Sequence, residues 1–547
     1  MKLFILNRKV LEEFILSEKN SFVKQASVLA IASLLVRFLG FLYRLPLTKL
    51  IGDEGNGIYS AGYYLYTFFL IMSSAGLPAA ISKMVSEETA KKNFIGAHEI
   101  FKTALILSGT IGFLAFILIF LGAESFANII GSPKSFYAIL SLSPTVFIVA
   151  IMAVFRGYFQ GLKNTWPTAI SQIIEQIFNA VFSVWLAFIL VKKNVALGAA
   201  GGTMGTGIGA FFGLLAIILI YFLKRNDIKK NFVGGIKKSS DKKKICWGII
   251  KTSVPIIIGT AIFSLTNLID MKMVMTCLKK NFSEQQANIL YGQLTGKYVV
   301  LTTLPVSIAT AIATAIIPNI ASKFVLKDFE NVKQKINTAL RLTMILSIPA
   351  AIGMGVLGKE ILMMLFPEYP GGEKLLIVGS ISIIFLALAQ IATGILQGIN
   401  KLNIPAIAAF FGALIKIPLN YFLITNREIN ILGAVISTIF CYLVAGIFDL
   451  IVMSREIKFV PDINGFFVKP MLASIIMGFL CHFFYGWFYF LFGKNNLALL
   501  LDIFLAVILY FIFLFLLGGI KHEDLKLIPM GNKIIFIIDK VRRKKLN

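Results

Sequence analysis

Long apolar segments recur along the whole chain, and short loops between them hold most of its charge. Hydrophobic residues make up 57% of the 547 residues and charged residues 15%, whereas soluble proteins average about half and about a quarter. Segments of about 18 or more apolar residues form membrane-spanning helices, because lipid offers no partner for an unpaired backbone amide. The chain is therefore predicted to be an all-α integral membrane protein.

We predict fourteen transmembrane helices, near residues 25–50, 57–83, 99–122, 136–159, 166–191, 197–223, 247–276, 289–317, 337–358, 373–397, 403–425, 430–453, 468–492 and 497–519. An even number of spans places both termini on one side of the membrane. The loops on that side hold twenty lysines and arginines and the opposite loops hold ten. The positive-inside rule therefore places both termini in the cytoplasm, although Lys192–Lys193 and Lys279–Lys280 oppose it.

A weak internal repeat divides the chain into halves. FQGLKNTWPTAI begins at Phe159 and LQGINKLNIPAI at Leu396, and each leads into an apolar helix with an internal asparagine and then Leu-Gly-Ala. Paired bundles around a central axis are a common transporter plan. We therefore predict two pseudo-symmetric six-helix lobes, 25–223 and 247–453, joined by the basic cytoplasmic linker 224–246.

Three further segments lie outside this repeat. Residues 1–24 are predicted to be a cytoplasmic N-terminal segment, and 454–520 contain the last two helices, which are rich in aromatic residues. Residues 521–547 are amphipathic and contain four consecutive basic residues, Arg542 to Lys545, so we expect them to lie on the cytoplasmic leaflet.

The net charge of +26 lies between the apolar segments and at the chain ends. This placement favours loops next to anionic lipid over nucleic-acid binding. The four cysteines and three histidines are scattered, which predicts neither disulfides nor a metal site. The chain has no G-x-S-x-G, H-E-x-x-H or Walker A motif, so we expect neither an enzyme nor ATP-driven transport, and no cofactor.

Two arginines lie in the first predicted span. Arg37 and Arg44 are seven residues apart and share a helix face with Gly40. Their backbones are about 10 Å apart along the axis. A charge at mid-bilayer costs roughly 2.5–3.5 kcal/mol, so it usually faces a partner or a cavity. Two guanidinium forks can hold a diphosphate and a second anionic group; the alternatives are a structural ion pair or snorkelling of Arg44 to the interface.

Other charges in the spans are less easily assigned. Asp270 in the seventh helix and Lys297 in the eighth are expected at a depth like that of Arg44, as substrate-site residues or as a salt bridge between neighbours. Glu175 and Lys416 occupy similar places in the two halves. Glu175 is a candidate proton or cation carrier or a partner of Arg156, and we favour a structural role for Glu175 and Lys416.

Three stretches resemble a known family. They are RFLGFLYRLPLTKLIGDEGNGIYSAGYYLYTFFLIMSSAGLPAAISKMVSE from Arg37, SLTNLIDMKMV from Ser264, and LYGQLTGKYVVLTTLPVSIATAIATAIIPNIASKF from Leu290. All three resemble the polysaccharide-transporter branch of the MOP exporter superfamily, with its SpoVB/YtgP-type relatives of the MurJ lipid II flippases. The resemblance implies fourteen helices in two lobes, with helices one, two, seven and eight lining a central cationic cavity.

The same resemblance implies that Arg37 and Arg44 bind a lipid-linked diphosphate sugar. MurJ-type sequences usually read R-x-x-G-F-x-R followed by an acid, whereas this chain reads R-x-x-G-F-x-x-R followed by Leu45. The chain is therefore expected to be nearer the SpoVB/YtgP group. The role of the missing acid is left to Asp270 or Asp53.

The leading functional prediction is a flippase in a bacterial plasma membrane. It would move a polyprenyl-diphosphate-linked cell-wall precursor, lipid II or a relative, outward by alternating access, with coupling to the membrane potential, Na⁺ or H⁺ left open. Its partners would be this lipid-linked oligosaccharide, the phospholipid bilayer and cell-wall synthesis proteins. The alternatives are a MATE-like cation-coupled drug antiporter, which should have acids in its cavity, and a non-transporting scaffold of the wall-synthesis machinery.

Overall fold

The computed structural model describes residues 2–233, 241–314, 316–401 and 403–519, and every regular element within these ranges is helical. The predicted tail 521–547 and residues 234–240 of the basic linker lie outside them. Eighteen α-helices are described: α1 Lys2–Ser74, α2 Leu77–Ala90, α3 Phe94–Ile129, α4 Phe136–Gly161, α5 Trp166–Leu190, α6 Val195–Val233, α7 Lys242–Leu278, α8 Glu284–Gly292, α9 Val299–Thr314, α10 Ile317–Val325, α11 Phe329–Val356, α12 Gly358–Leu365, α13 Glu373–Gly379, α14 Ser382–Gly398, α15 Ile404–Thr425, α16 Leu432–Ile457, α17 Lys469–Phe492 and α18 Asn495–Leu516. A short 3₁₀ turn spans Pro133–Ser135, and π-helical turns span Gln293–Tyr298 and Asn464–Val468.

Within the described ranges, ten helical stretches are long and apolar enough to cross a membrane, or eleven if the pair α13 and α14, bent by 50°, is one broken span. The all-helical, multi-pass architecture is thereby confirmed, while the number fourteen stays a prediction. One reason for the difference is that Ala32–Ala90 forms a single continuous stretch. It contains the second predicted span and most of the first.

The break between those two spans is at Gly52. Its φ of 66° and ψ of −174° lie outside helical values, in a region that glycine adopts without the steric penalty of a Cβ. Asn56 Nδ2 donates to the carbonyl oxygen of Gly52 at 2.8 Å, and Thr48 Oγ1 donates to Asn56 Oδ1 at 3.3 Å. These bonds fix a sharp change of direction without a separate loop.

The chain forms two compact units, Met1–Gly292 and Gln293–Asn547. In the first unit, every fourth residue of one face of α6 is glycine: Gly201, Gly205, Gly209 and Gly213. A Cβ on Gly205 would lie 2.2 Å from the backbone nitrogen of Ser183 on α5, and one on Gly209 would lie 2.5 Å from the carbonyl oxygen of Glu175. Small residues at such a face let two membrane helices approach to backbone contact.

The second unit is packed around α11 and α14. Leu340 and Met344 on α11 are fully buried in one cluster with Ile391 and Ile395 on α14. The predicted lobe boundaries stay a prediction.

The internal repeat coincides with matching hydrogen bonds. When the copies are aligned on their Gln-Gly pairs and Leu-Gly-Ala triplets, Ser183 falls opposite Asn420, and Gly202 opposite Ser437. Ser183 Oγ on α5 donates to the carbonyl oxygen of Gly202 on α6 at 2.7 Å, and Ser437 Oγ on α16 donates to Asn420 Oδ1 on α15. Corresponding positions therefore join α5 to α6 in the first unit and α15 to α16 in the second.

Candidate functional site

Arg44 lies against a set of tyrosines within the first unit. Its guanidinium carbon is 4.2 Å from the centroid of the Tyr59 ring and 5.9 Å from that of Tyr63. Tyr43 and Tyr64 also lie within electrostatic range of it. Aromatic faces attract a cation, by about 2 kcal/mol or more when the pair is desolvated. We call Arg44 with Tyr43, Tyr59, Tyr63 and Tyr64 the arginine cage.

The tyrosines of the arginine cage are positioned by helical spacing. Tyr59 and Tyr63 are one turn apart after the Gly52 break, and their rings stack at 5.8 Å with an interplanar angle of 15°. Tyr66 extends the row, 5.7 Å from Tyr63. Because the chain changes direction at Gly52, this segment places its rings beside the earlier segment that carries Arg44.

Two polar groups in the arginine cage are buried without a hydrogen-bond partner. They are Nη1 of Arg44 and the hydroxyl of Tyr59, a residue with no exposed surface. The Tyr43 side chain lies near that hydroxyl but is not placed for a well-formed bond. A buried donor without a partner costs about 1–3 kcal/mol. An anion that accepts from both groups would remove this penalty, so the cage can act as an anion-binding site.

Arg37 is the other predicted arginine of this helix. Its side chain is exposed, and among the described residues it has no ion-pair partner. A Cβ on Gly40, between the two arginines, would lie 3.4 Å from Gln176 Nε2, so this part of α1 packs toward α5. Arg37 therefore remains available to a second anionic group.

Asp270, on α7, belongs to the same unit as Arg44. Its half-buried carboxylate lies within electrostatic range of the Tyr291 hydroxyl, which is itself near Tyr64 of the arginine cage. Asp53 is buried in the same unit. The assignment of Asp270 to the substrate site stays a prediction.

Lys297 lies in the second unit, on the π-helical turn Gln293–Tyr298. It is 1% exposed, and its Nζ donates to the carbonyl oxygens of Tyr369 at 2.5 Å and Gly371 at 2.9 Å. The ammonium is also 5.6 Å from the Phe366 ring. Its bonds hold the segment between α12 and α13, and its assignment to substrate binding stays a prediction.

The Glu175–Arg156 ion pair is present. Arg156 Nη2 lies 2.7 Å from Glu175 Oε2 and donates to Ser171 Oγ at 2.8 Å. Lys416 lies on α15 of the second unit, within electrostatic range of Tyr298. Whether Glu175 also carries an ion stays a prediction.

Sequence reasoning missed the tyrosines. Four of them, Tyr59, Tyr63, Tyr64 and Tyr66, fall within eight residues of one apolar span. This density of tyrosines was the feature of the sequence that could have indicated the arginine cage. Their significance depends on the Gly52 break, which brings the two segments side by side.

Solved structures with the same fold are transporters. The fold matches that of the lipid II flippase MurJ in an inward closed conformation, with a TM-score of 0.66 at 18% identity, covering 89% of this chain and 97% of that one. It matches an inward-facing MATE family transporter of the MOP superfamily with the same TM-score at 15% identity, covering 78% and 98%. The protein therefore has the fold of multi-pass membrane transporters of the MOP superfamily.

Within that superfamily the chain belongs to the polysaccharide biosynthesis protein family, whose model matches residues 22–324. A MatE model matches residues 298–422. The chain is 29% identical over 453 residues to the lipid II flippase MurJ of Bacillus subtilis (strain 168), covering 78% of this chain and 82% of that one. It is 25% identical over 525 residues to stage V sporulation protein B of the same organism, covering 94% and 99%. The sequence-based assignment to the polysaccharide-transporter branch, as a relative of MurJ, is confirmed.

Proposed function

We propose that this protein is a flippase for a polyprenyl-diphosphate-linked cell-wall precursor, lipid II or a close relative, in a bacterial plasma membrane. The observation that supports it most is the arginine cage, where Arg44 Nη1 and the Tyr59 hydroxyl are buried donors without partners. A diphosphate presents several acceptor oxygens, and arginine matches them with a planar fork. The name of one Bacillus relative, the lipid II flippase MurJ, agrees with this substrate class.

In this mechanism the diphosphate accepts from Arg44 and Tyr59, and Arg37 engages a second anionic group of the head. The polyprenyl tail stays in lipid while alternating access moves the head group from the inner to the outer leaflet. A membrane potential that is negative inside favours outward movement of an anion by about 2.3 kcal/mol per charge per 100 mV.

The proposal also includes the orientation of the protein in the membrane and its partners. Both termini would lie in the cytoplasm, and the protein would act as a transporter rather than an enzyme. Cell-wall synthesis proteins would be its partners, because they consume the precursor that it delivers.

The test replaces Arg44 by Gln or Lys in a strain in which this protein can be acutely depleted. Accessibility of labelled lipid II at the outer face is then measured. We expect Arg44→Gln to abolish export, and Arg44→Lys to restore it only in part, because lysine keeps the charge and loses the fork. Export at the wild-type rate by Arg44→Gln would contradict the binding assignment.

Lys192→Gln is the matched control. Lys192 Nζ lies 4.6 Å from the Phe188 ring at the end of α5, so the substitution also removes a cation above an aromatic ring, but outside the arginine cage. It should leave export unchanged. Cation efflux that survives loss of Arg44 would instead support a MATE-like antiporter, and full wall synthesis with Arg37 and Arg44 both replaced would support a scaffold.

A further inference from the structure

An acid lies inside the last spanning helix. Asp502 is the only Asp, Glu, Lys, Arg or His of α18, and its side chain has no exposed surface. It is about 10 Å along the axis from Asn495, where the helix begins, at about 1.5 Å per residue. That depth is about a third of the way across a hydrocarbon core of about 30 Å. An ionisable group at such a depth is a functional candidate by default.

Neither carboxyl oxygen of Asp502 has a hydrogen-bond partner within the described part of the chain. Asp449 on α16, another buried acid of the same unit, differs because its Oδ2 accepts from Thr393 Oγ1 at 3.0 Å. A carboxylate without a counter-charge or a donor is very unfavourable in an apolar site, and such groups bind a proton instead. The surroundings of Asp502 therefore favour its neutral, protonated form.

The groups that face Asp502 supply no positive charge. From α17, the Cys481 thiol and the Tyr485 ring lie within electrostatic range of it. Tyr485 Oη donates its proton to Asn495 Oδ1 at 2.7 Å, so that proton is directed away from the carboxyl. From α12, the group near Tyr485 is Glu360, which is another acid.

The remaining ionisable groups of the packed helices point elsewhere or lie far along the axis. Lys359 on α12 and His482 on α17 are exposed. On α11, no ionisable residue follows Arg341 before the helix ends at Val356. The part of the interface around Asp502 thus contains acids, a thiol and a phenol, and its apolar lining includes Ala498, Leu499 and Ala506.

We propose that Asp502 is a proton-binding site: its carboxyl holds a proton while it is buried between α17 and α18, and it releases that proton when this interface opens to water. An alkali ion would need several oxygen ligands; the neighbouring alanine, leucine and cysteine side chains provide none, and the Tyr485 hydroxyl is bonded to Asn495. Opening of the interface would release one proton, so movement of this helix pair becomes pH-dependent. This inference does not depend on which substrate is transported.

The first experiment uses a fluorescent carbodiimide, which modifies protonated carboxyl groups in apolar surroundings, on the full-length protein in liposomes. Modification of Asp502, located by mass spectrometry, should decrease as the pH rises, with a midpoint well above the ordinary aspartate value of about 3.9. Asp502→Asn should remove the signal at that position, and Asp449→Asn should leave it unchanged. Absence of modification at every pH, or protection by Na⁺ at constant pH, would overturn the proposal.

The second experiment measures export as a function of pH. Asp502→Asn is nearly isosteric and permanently neutral, so it should keep the thermal stability and the low-pH export rate of the wild type and lose the change in rate at higher pH. A variant that keeps the wild-type pH profile would overturn proton release by Asp502. If the wild-type protein exports no precursor while carbodiimide still modifies Asp502 in a pH-dependent way, the proposed function fails and the proton site stands.

Discussion

Replacing Tyr59 by phenylalanine separates substrate binding from folding stability. The ring, which lies 4.2 Å from the guanidinium carbon of Arg44, is kept, and only the hydroxyl is lost. That hydroxyl is buried without a partner, so its removal should leave the protein equally stable or more stable by about 1 kcal/mol. A hydrogen bond to a charged group contributes about 1.5–3 kcal/mol, so binding of a diphosphate should weaken roughly 10- to 150-fold.

Binding is measured with a polyprenyl-diphosphate precursor and the protein in nanodiscs, and stability by thermal unfolding of the same preparation. Tyr485→Phe is the matched control, because the Tyr485 hydroxyl donates to Asn495 at 2.7 Å. That variant should lose about 0.5–1.5 kcal/mol of stability and bind the precursor normally. The two substitutions therefore have opposite expected effects: Tyr59→Phe weakens precursor binding without loss of stability, and Tyr485→Phe lowers stability without weakening binding.

The reasoning is refuted if Tyr59→Phe binds the precursor as tightly as the wild type. It is also refuted if the variant unfolds at a much lower temperature, because the hydroxyl would then be satisfied in the folded protein. Weaker binding by Tyr485→Phe as well would point to a general disturbance of the membrane helices.

Three further tests concern the packing of α6, the segment after α12 and the N-terminal end of α11. Gly205→Ala places a Cβ 2.2 Å from the Ser183 backbone nitrogen and should destabilise the protein by about 1–3 kcal/mol, whereas Gly109→Ala, with nothing within 4 Å, should gain about 0.5–1 kcal/mol in thermal unfolding. Lys297→Met should speed hydrogen exchange in residues 366–372, since Nζ holds two carbonyl groups there; weaker precursor binding without faster exchange would instead favour its predicted substrate role. Hydrogen bonds from Asn331 and Lys323 lower the pKa of Asp328 below its ordinary value. The stabilisation that ionised Asp328 gives to the first turn of α11 is therefore fully present at pH values above the ordinary pKa, and it is lost as the pH falls through the lowered pKa. Hydrogen exchange of that turn should show this step in the wild type and not in Asp328→Asn.

The cost of charge in a membrane explains what the sequence could predict. Arg37, Arg44, Asp270 and Glu175 stand out because each interrupts an apolar span, and the same rule applied to α18 would have found Asp502. The fold class follows from segment length and apolarity alone. The Glu175–Arg156 pair was within reach because both residues lie close together in the sequence, on successive predicted helices.

Other features depend on contacts that periodicity does not reveal. Lys297 was expected at the depth of Arg44, and its carbonyl partners, Tyr369 and Gly371, lie more than seventy positions later, in an irregular segment. The tyrosine row has the spacing of an ordinary interfacial or core stripe, and its role depends on the break in α1 at Gly52, which the spacing does not reveal. Long-range partners and backbone breaks, rather than residue types, therefore limited the prediction of the site.

Three cations of the described residues, Arg156, Lys297 and Arg44, differ in what neutralises them, and that difference favours one of them as the anion-binding residue. Arg156 is paired with a carboxylate at 2.7 Å, and Lys297 is surrounded by carbonyl oxygens. Arg44 is held by neutral rings, which attract its charge without accepting the hydrogen of Nη1. An arriving anion would have to displace existing partners at Arg156 or Lys297, whereas at Arg44 it would fill a vacant hydrogen-bonding position. The gain in free energy on binding an anion is therefore expected to be largest at Arg44.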